Sequence, residues 1–131
     1  MSFKLKVITP YGVFYEGDID SLNVCTKQGY LTILPNHIPL VAPLAIDSMS
    51  YKANKETRVC ALAGGIMYVS SEETKIIANA CEYKEDIDIN RALEAKKRAE
   101  QRLEHKTTNI NVTRAEAALK RALNRIETFN K

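Results

Sequence analysis

Arginine side chains are concentrated in the last third of this 131-residue chain, where six of its seven arginines follow residue 86. Arg114, Arg121 and Arg125 have no Asp or Glu three or four residues away, and Arg121 and Arg125 stand at the spacing at which like charges on a helix repel. Each such repulsion costs only about 0.2–0.5 kcal/mol. Two interpretations are therefore open: a solvated basic face, or guanidinium groups that grip the oxygens of a polyphosphate.

Two predicted helices carry these arginines. Residues 88–106 and 112–131 contain no Gly or Pro and are rich in strong helix formers, with a break rich in Thr and Asn at 107–111. Asp86 or Asp88 is positioned to cap the first helix, and Thr113 with Glu116 fits a capping box for the second. The sequence therefore predicts an antiparallel helical hairpin in residues 86–131.

The inward faces of this predicted hairpin consist mainly of small residues. They follow helical spacing at Ala92, Ala95, Ala99 and Leu103 in the first helix and at Ala115, Ala118, Ala122 and Ile126 in the second. Alanines let two helices approach closely but bury little apolar area, at about 25 cal/mol per Å². Helices of this length are marginal alone in water, so we expect the hairpin to open easily.

Residues 1–85 have a different character, because all five glycines, all four prolines and all six tyrosines lie there. Short apolar or alternating runs at nearly regular intervals, separated by turn-forming residues, are typical of a sandwich or barrel. These runs occupy residues 3–9, 21–26, 30–34, 45–51, 57–63, 66–70 and 74–80. In this interpretation Gly64-Gly65 separates two strands, as a tight turn or a close backbone approach. The fold class is α+β: a β-sandwich domain in residues 1–85 and a helical hairpin in 86–131.

Several function classes find little support in the composition. The two histidines, His37 and His105, lie in different parts of the chain, and no GxxxxGK[ST] loop is present, which argues against a nucleophilic relay or a phosphoryl-transfer enzyme. Three widely spaced cysteines suit reduced, packed thiols better than a disulfide frame or a zinc site. We therefore predict no catalytic residues, no metal and no catalytic cofactor.

Membrane spans and secretion signals are also unsupported, because the longest apolar runs are far shorter than a bilayer span and the start of the chain has no signal core. A reduced, cytosolic setting is expected. The segment from residue 86 carries 11 basic against 7 acidic residues, so a nucleic-acid-binding arm is an alternative. The low aromatic content of this arm, with Phe129 alone, argues against base stacking.

Four segments together resemble the epsilon subunit family of F-type ATP synthases over essentially the whole chain. They are residues 8–19 (ITPYGVFYEGDI), 29–44 (GYLTILPNHIPLVAPL), 61–69 (ALAGGIMYV) and 82–100 (EYKEDIDINRALEAKKRAE). The resemblance implies a non-catalytic subunit of the rotating central stalk, peripheral to the membrane on its cytoplasmic side. Its implied partners are the gamma subunit and the c-ring, with the beta and alpha subunits contacted by an extended hairpin that inhibits ATP hydrolysis; Arg102 and Arg114 are candidates for that contact.

The resemblance also implies ATP as a regulatory ligand. The family's pattern I(L)DxxRA is matched by Ile87, Asp88, Arg91 and Ala92. Carrying over the family's other ligand positions adds Glu82, Arg98, Arg121 and Arg125. Bound ATP would hold the hairpin folded against the sandwich, and its loss would permit the extended form.

Overall fold

The structure, a computed structural model, describes residues 1–105 and 109–131, with side chains in the second range from Val112 onward. Eight strands come first: β1 Phe3–Thr9, β2 Gly12–Ile19, β3 Ser21–Thr26, β4 Gly29–Ile33, β5 Leu40–Ala53, β6 Glu56–Val69, β7 Glu73–Ala78 and β8 Cys81–Tyr83. A single 3-10 turn at Lys84–Asp86 leads to helix α1, Ile89–Glu104, and helix α2, Asn109–Phe129. The α+β class, with a β-sandwich before a helical hairpin, is confirmed.

The strands form one hydrogen-bonded sheet in the order β2-β1-β7-β6-β5-β3-β4, with β8 paired to β6. Neighbours are antiparallel except β1 and β7, which run parallel. Alternation along each strand directs one set of apolar side chains inward, as expected for a half-buried sheet. The largest fully buried side chains include Leu5, Leu22, Leu62, Met67 and Ile76. The buried residues of this core all come from strands β1 and β3–β7 and the end of β2, so the sandwich has a core that does not depend on the helices.

The predicted break at Gly64-Gly65 is wrong, because β6 continues through both glycines to Val69. Their φ angles of +82° and +149° are open to glycine, so the chain bends without leaving the ladder. A Cβ on Gly65 would lie 2.2 Å from the carbonyl oxygen of Ile77, so the expected close backbone approach is confirmed. The inward-facing positions of β6 are even-numbered before the glycines, at Cys60 and Leu62, and odd-numbered after them, at Met67 and Val69.

Helix α1 begins as predicted. Asp88 is its N-cap, and the carboxylate Oδ1 accepts a hydrogen bond from the backbone N–H of Arg91 at 3.1 Å. The predicted capping box at Thr113 and Glu116 is wrong, because α2 begins at Asn109 and Thr113 already lies inside the helix. The predicted break at 107–111 is wrong for residues 109–111, which belong to α2, and residues 107 and 108 lie outside the described residues.

Small residues do form the contact between α1 and α2, since Ala92, Ala99, Ala115 and Ala122 are each only 1% exposed. Helix α2 also packs on the outer face of β5 and β6, so it lies between α1 and the sandwich. Cys25, Cys60 and Cys81 are free thiols, Cys60 buried and the others half-buried. No helix in the described part of the chain is both long and apolar enough to cross a membrane.

Candidate functional site

Strand β8 brings one carboxylate of the sandwich to the surface of α2. Cys81 and Tyr83 pack against the core, and alternation therefore turns the intervening Glu82 outward. Oε1 of Glu82 lies 3.5 Å from Nε of Arg125 on α2. Of the eight residues that the family resemblance associates with ATP, these two form a direct ion pair across the contact between the two domains.

A cavity of about 200 Å³ lies beside this ion pair. Its walls consist of residues of the sandwich and three polar residues of α2: Thr9, Tyr11, Ala61, Leu62, Ala63, Ala80, Cys81, Glu82, Arg121, Asn124 and Arg125. Arg121 and Arg125 are half-buried, so both guanidinium groups remain accessible to a ligand. The cavity therefore combines two cations with one carboxylate.

The other predicted ligand residues take different positions. Ile87 and Ala92 are buried, 5% and 1% exposed, and act in packing. Asp88 caps α1, while Arg91 and Arg98 are exposed on it. Because α1 and α2 are antiparallel, the start of α1 lies at the end of the hairpin that carries Arg125, and the 3-10 turn before α1 contacts α2.

The guanidinium group of Arg125 is not unneutralised, contrary to the prediction from the sequence. Arg125 has no acidic neighbour three or four residues away on its own helix, but Glu82 balances its charge. Because Glu82 is 43 residues away in the chain, helical spacing could not identify it as the partner. An incoming phosphate would therefore share or replace this contact. The like-charge spacing of Arg121 and Arg125 persists on α2, and an anion in the cavity beside them could relieve it.

These residues fit the phosphate portion of a nucleotide. Guanidinium groups bind phosphate oxygens in bidentate fashion, and Glu82 can accept hydrogen bonds from an exocyclic amine or a ribose hydroxyl. Pockets for whole drug-sized ligands usually measure about 300–1,000 Å³, so a cavity of about 200 Å³ would enclose the phosphates better than the entire molecule. In the described residues no group of three or more His, Cys, Asp or Glu is arranged to hold a metal ion.

The connection between the domains is held by an aromatic cluster that the sequence did not suggest. The hydroxyl groups of Tyr51 and Tyr83 are 2.7 Å apart, and the guanidinium of Arg58 lies 4.1 Å from the centre of the Tyr83 ring. Arg58 also pairs with Glu85 at 3.8 Å, in the turn that precedes α1. Burial, together with the hydrogen bond to Tyr83, raises the pKa of Tyr51. Burial also raises the pKa of Tyr83.

Sequence reasoning also missed Asn124, a residue of α2 that bonds directly to the sandwich backbone. Its Nδ2 donates a hydrogen bond to the carbonyl oxygen of Leu62 at 3.2 Å. An Asn between Ala122 and Ile126 interrupts a run of helix formers, and that interruption was the available signal. Its partner, a backbone carbonyl 62 residues earlier, has no counterpart in the local pattern.

Two family profiles together match nearly the whole chain. The ATP synthase Delta/Epsilon chain beta-sandwich domain matches residues 2–84, and the ATP synthase Delta/Epsilon chain long alpha-helix domain matches residues 85–130. The ATP synthase epsilon chain of Bacillus licheniformis is 44% identical over 126 residues, covering 96% of this chain and 96% of that protein. The ATP synthase epsilon chain of Halalkalibacterium halodurans is 45% identical over 124 residues, covering 94% and 93%.

Two solved assemblies contain chains of the same fold. A chain in the Euglena gracilis mitochondrial ATP synthase, OSCP/F1/c-ring in rotational state 1, superposes with a TM-score of 0.79 at 16% identity, covering 91% of this chain and 76% of that one. A chain in the Tetrahymena thermophila mitochondrial ATP synthase central stalk and c-ring superposes with a TM-score of 0.65 at 13% identity, covering 98% and 97%. At these identities the likeness concerns the fold alone.

Proposed function

Because the chain belongs to the ATP synthase delta/epsilon chain family, we propose that it is a non-catalytic subunit of the central stalk of an F-type ATP synthase, peripheral to the cytoplasmic side of the membrane. It couples rotation of the stalk to proton-driven ATP synthesis and restrains ATP hydrolysis through its helical hairpin. The observation that carries this proposal is the match of both domains, in order, to epsilon chains over nearly their full length. The same match favours the stalk over the nucleic-acid-binding alternative.

Contact with partner subunits is supported by an exposed apolar face on the sandwich. Val41, Tyr68, Ile66 and Ile77 are 64%, 40%, 42% and 48% exposed. The first two are paired across β5 and β6, and the last two across β6 and β7, so they form one patch over three neighbouring strands. Contiguous apolar patches mark interaction sites on soluble proteins. This patch is our candidate for the contact with the gamma subunit.

A second exposed apolar site lies at one end of the sandwich, in the connection between β4 and β5. Leu34 and Ile38 are 55% and 75% exposed there. His37, between them, is half-buried, and its Nδ1 lies 2.7 Å from the carbonyl oxygen of Ile38, which ties the ring to the loop backbone. This loop is the proposed contact with the c-ring, where the rotating stalk meets the membrane.

Regulation is assigned to the hairpin. In the closed form, α2 covers the outer face of β5 and β6. The small-residue contact between α1 and α2 buries little apolar area, so separating the two helices costs little free energy. The extended form would reach acidic segments of the beta and alpha subunits through exposed cations, of which Arg102 and Arg114 are the candidates. Closing the hairpin removes these cations from the catalytic head and permits hydrolysis.

ATP is the proposed effector of closure. Arg121 and Arg125 would hold its phosphate oxygens, with Glu82, Asp88, Arg91 and Arg98 completing the ligand set. A ligand that binds only the closed form stabilises it by about 2.7 kcal/mol at 100 times its dissociation constant, and by about 0.4 kcal/mol when its concentration only equals that constant. The hairpin therefore responds strongly only where the dissociation constant for ATP is far below the cellular ATP concentration.

The stalk assignment is tested by binding to isolated gamma subunit. A carboxylate in the centre of the apolar patch would have to be desolvated without a partner, so Tyr68→Glu should weaken binding at least about tenfold. Tyr11→Glu is the matched control, since Tyr11 is 96% exposed in the turn between β1 and β2. Equal affinity of both variants and the original chain would contradict this surface, and no binding by any of them would contradict the stalk assignment.

A further inference from the structure

The contact between α2 and the sandwich is unusually polar in its second half. Arg121, Asn124 and Thr128 follow one another at spacings of three and four residues, so they lie on one face of the helix. Asn124 is 7% exposed and Thr128 is fully buried. The two other buried polar residues of the described chain, Thr26 and Thr74, lie within the sandwich. The helix therefore buries an amide and a hydroxyl where apolar side chains would fit the usual pattern.

These two side chains form a directed chain of hydrogen bonds. The hydroxyl of Thr128 donates to Oδ1 of Asn124 at 3.4 Å, which orients the amide, and Nδ2 of Asn124 donates to the carbonyl oxygen of Leu62 at 3.2 Å. In the described residues no buried side-chain nitrogen or oxygen is left without a partner. The chain of bonds reaches from inside α2 to the backbone of the central strand β6.

Such a chain fixes the position of α2 along β6. Each residue advances a helix by about 1.5 Å, so a shift by a single residue would already break a hydrogen bond that is 3.2 Å long. The alanine contact with α1 has no comparable directionality, because Ala115 and Ala122 present only methyl groups. Buried Asn residues fix the register of paired helices elsewhere for the same reason.

We propose that Asn124 is a positioning residue that locks α2 in the closed position on β6, with Thr128 orienting its amide, independently of any nucleotide. The lock holds Arg121 and Arg125 beside Glu82 at the cavity. Water satisfies these polar groups when α2 lifts, so removing one partner leaves an unsatisfied group only in the closed form and makes opening easier. This inference rests on the proposed opening of the hairpin.

The lock can be measured by hydrogen–deuterium exchange of the isolated full-length chain without nucleotide. Asn124→Asp keeps the size of the side chain but removes the donor and places a carboxylate against the Leu62 carbonyl. Opening of α2 should become at least about tenfold more frequent, seen as faster exchange of amides in 112–129 with unchanged exchange in the sandwich strands. Thr128→Val, which keeps the shape and removes the hydroxyl, should accelerate the same amides by a smaller factor.

Asn130→Asp is the control, because it introduces the same charge at an exposed position just after α2. If Asn124→Asp and Thr128→Val both exchange like this control, the lock is wrong. If Asn124→Asp accelerates sandwich and helix equally, the variant has lost its fold, and Thr128→Val decides. Accelerated exchange confined to α2, with unchanged inhibition in the reconstituted complex, supports the lock and contradicts the proposed inhibitory function.

Discussion

Nε of Arg125 lies 3.5 Å from Oε1 of Glu82, and both side chains are more than a third exposed, at 39% and 38%. An ion pair this accessible to water contributes at most about 1 kcal/mol to stability. Its main consequence is geometric, because it fixes a guanidinium group of α2 at the edge of the sandwich cavity. The same group can exchange its carboxylate for phosphate oxygens at small cost.

Replacing Arg125 by Ala should therefore weaken ATP binding. The loss of a charge-assisted contact to phosphate is expected to raise the dissociation constant at least about tenfold, as measured by isothermal titration of the isolated chain. Arg102→Ala is the control, since it removes the same charge from an exposed position near the far end of the hairpin. Equal affinities for the two variants would mean that the nucleotide site lies elsewhere.

Asp88 permits a sharper test, because it caps α1 and is also a predicted ligand. Asp88→Ala removes both roles, whereas Asn is as good an N-cap as Asp and removes only the charge. If Asp88 touches the nucleotide through its charge, both variants should bind ATP more weakly in the titration. Wild-type affinity of Asp88→Asn beside weak binding of Asp88→Ala would show that Asp88 acts through the helix start alone.

Truncation after Lys84 should leave the sandwich folded, because its core residues all lie before the turn that leads to α1. We expect the truncated chain to assemble with the stalk and the complex to hydrolyse ATP faster than with the full chain. The measurement is the ATPase rate of the reconstituted complex at equal occupancy, with the full-length chain as reference. An unchanged rate at full occupancy would argue against an inhibitory hairpin in this protein.

Stability should fall at high pH through the tyrosine pair at the domain connection. Burial raises the pKa of Tyr51 and Tyr83, so the folded chain holds these protons more tightly than the unfolded chain, in which tyrosine titrates near about 10. Their contribution to the free energy of unfolding is therefore complete below pH about 10 and is lost as the pH rises above it. The urea midpoint, compared at pH about 8 and about 11, should fall.

Tyr51→Phe should reduce that pH dependence while costing about 1 kcal/mol at pH 8 through the lost hydrogen bond. Tyr11→Phe, at an exposed tyrosine, serves as the comparison and should keep the dependence of the original chain. A Tyr51→Phe variant with an undiminished fall of the midpoint would assign the effect to other groups.

Local signals in the sequence predicted much of the fold. The alternation in residues 3–9 and 21–26 gave strands with those bounds, and the acidic cap at Asp88 gave the start of α1. The predicted break at Gly64-Gly65 was wrong, because a positive φ at glycine is compatible with a turn and also with a bend inside a continuous strand. The short strand β8 was missed, since three residues carry too little pattern to recognise.

The site was less accessible to sequence reasoning than the fold. Helical spacing identified the arginines of α2, but it could not reveal Glu82 as a partner of Arg125 or the Leu62 carbonyl as a partner of Asn124. Both contacts depend on which face of α2 meets β6 and at what height. That choice is made by tertiary packing, which the spacing of residues along one helix does not encode.

The outer side of β6 has a consequence for the free chain in solution. Ala61 and Ala63 lie at the cavity beneath α2, while Ile66 and Tyr68 further along the same strand are already open to solvent. If α2 left the sandwich, these two stretches would form one continuous exposed apolar surface along β6. Surfaces of this kind promote self-association. Before assembly, the chain is therefore less prone to self-associate with its hairpin closed. The open form should persist only where neighbouring subunits cover β6.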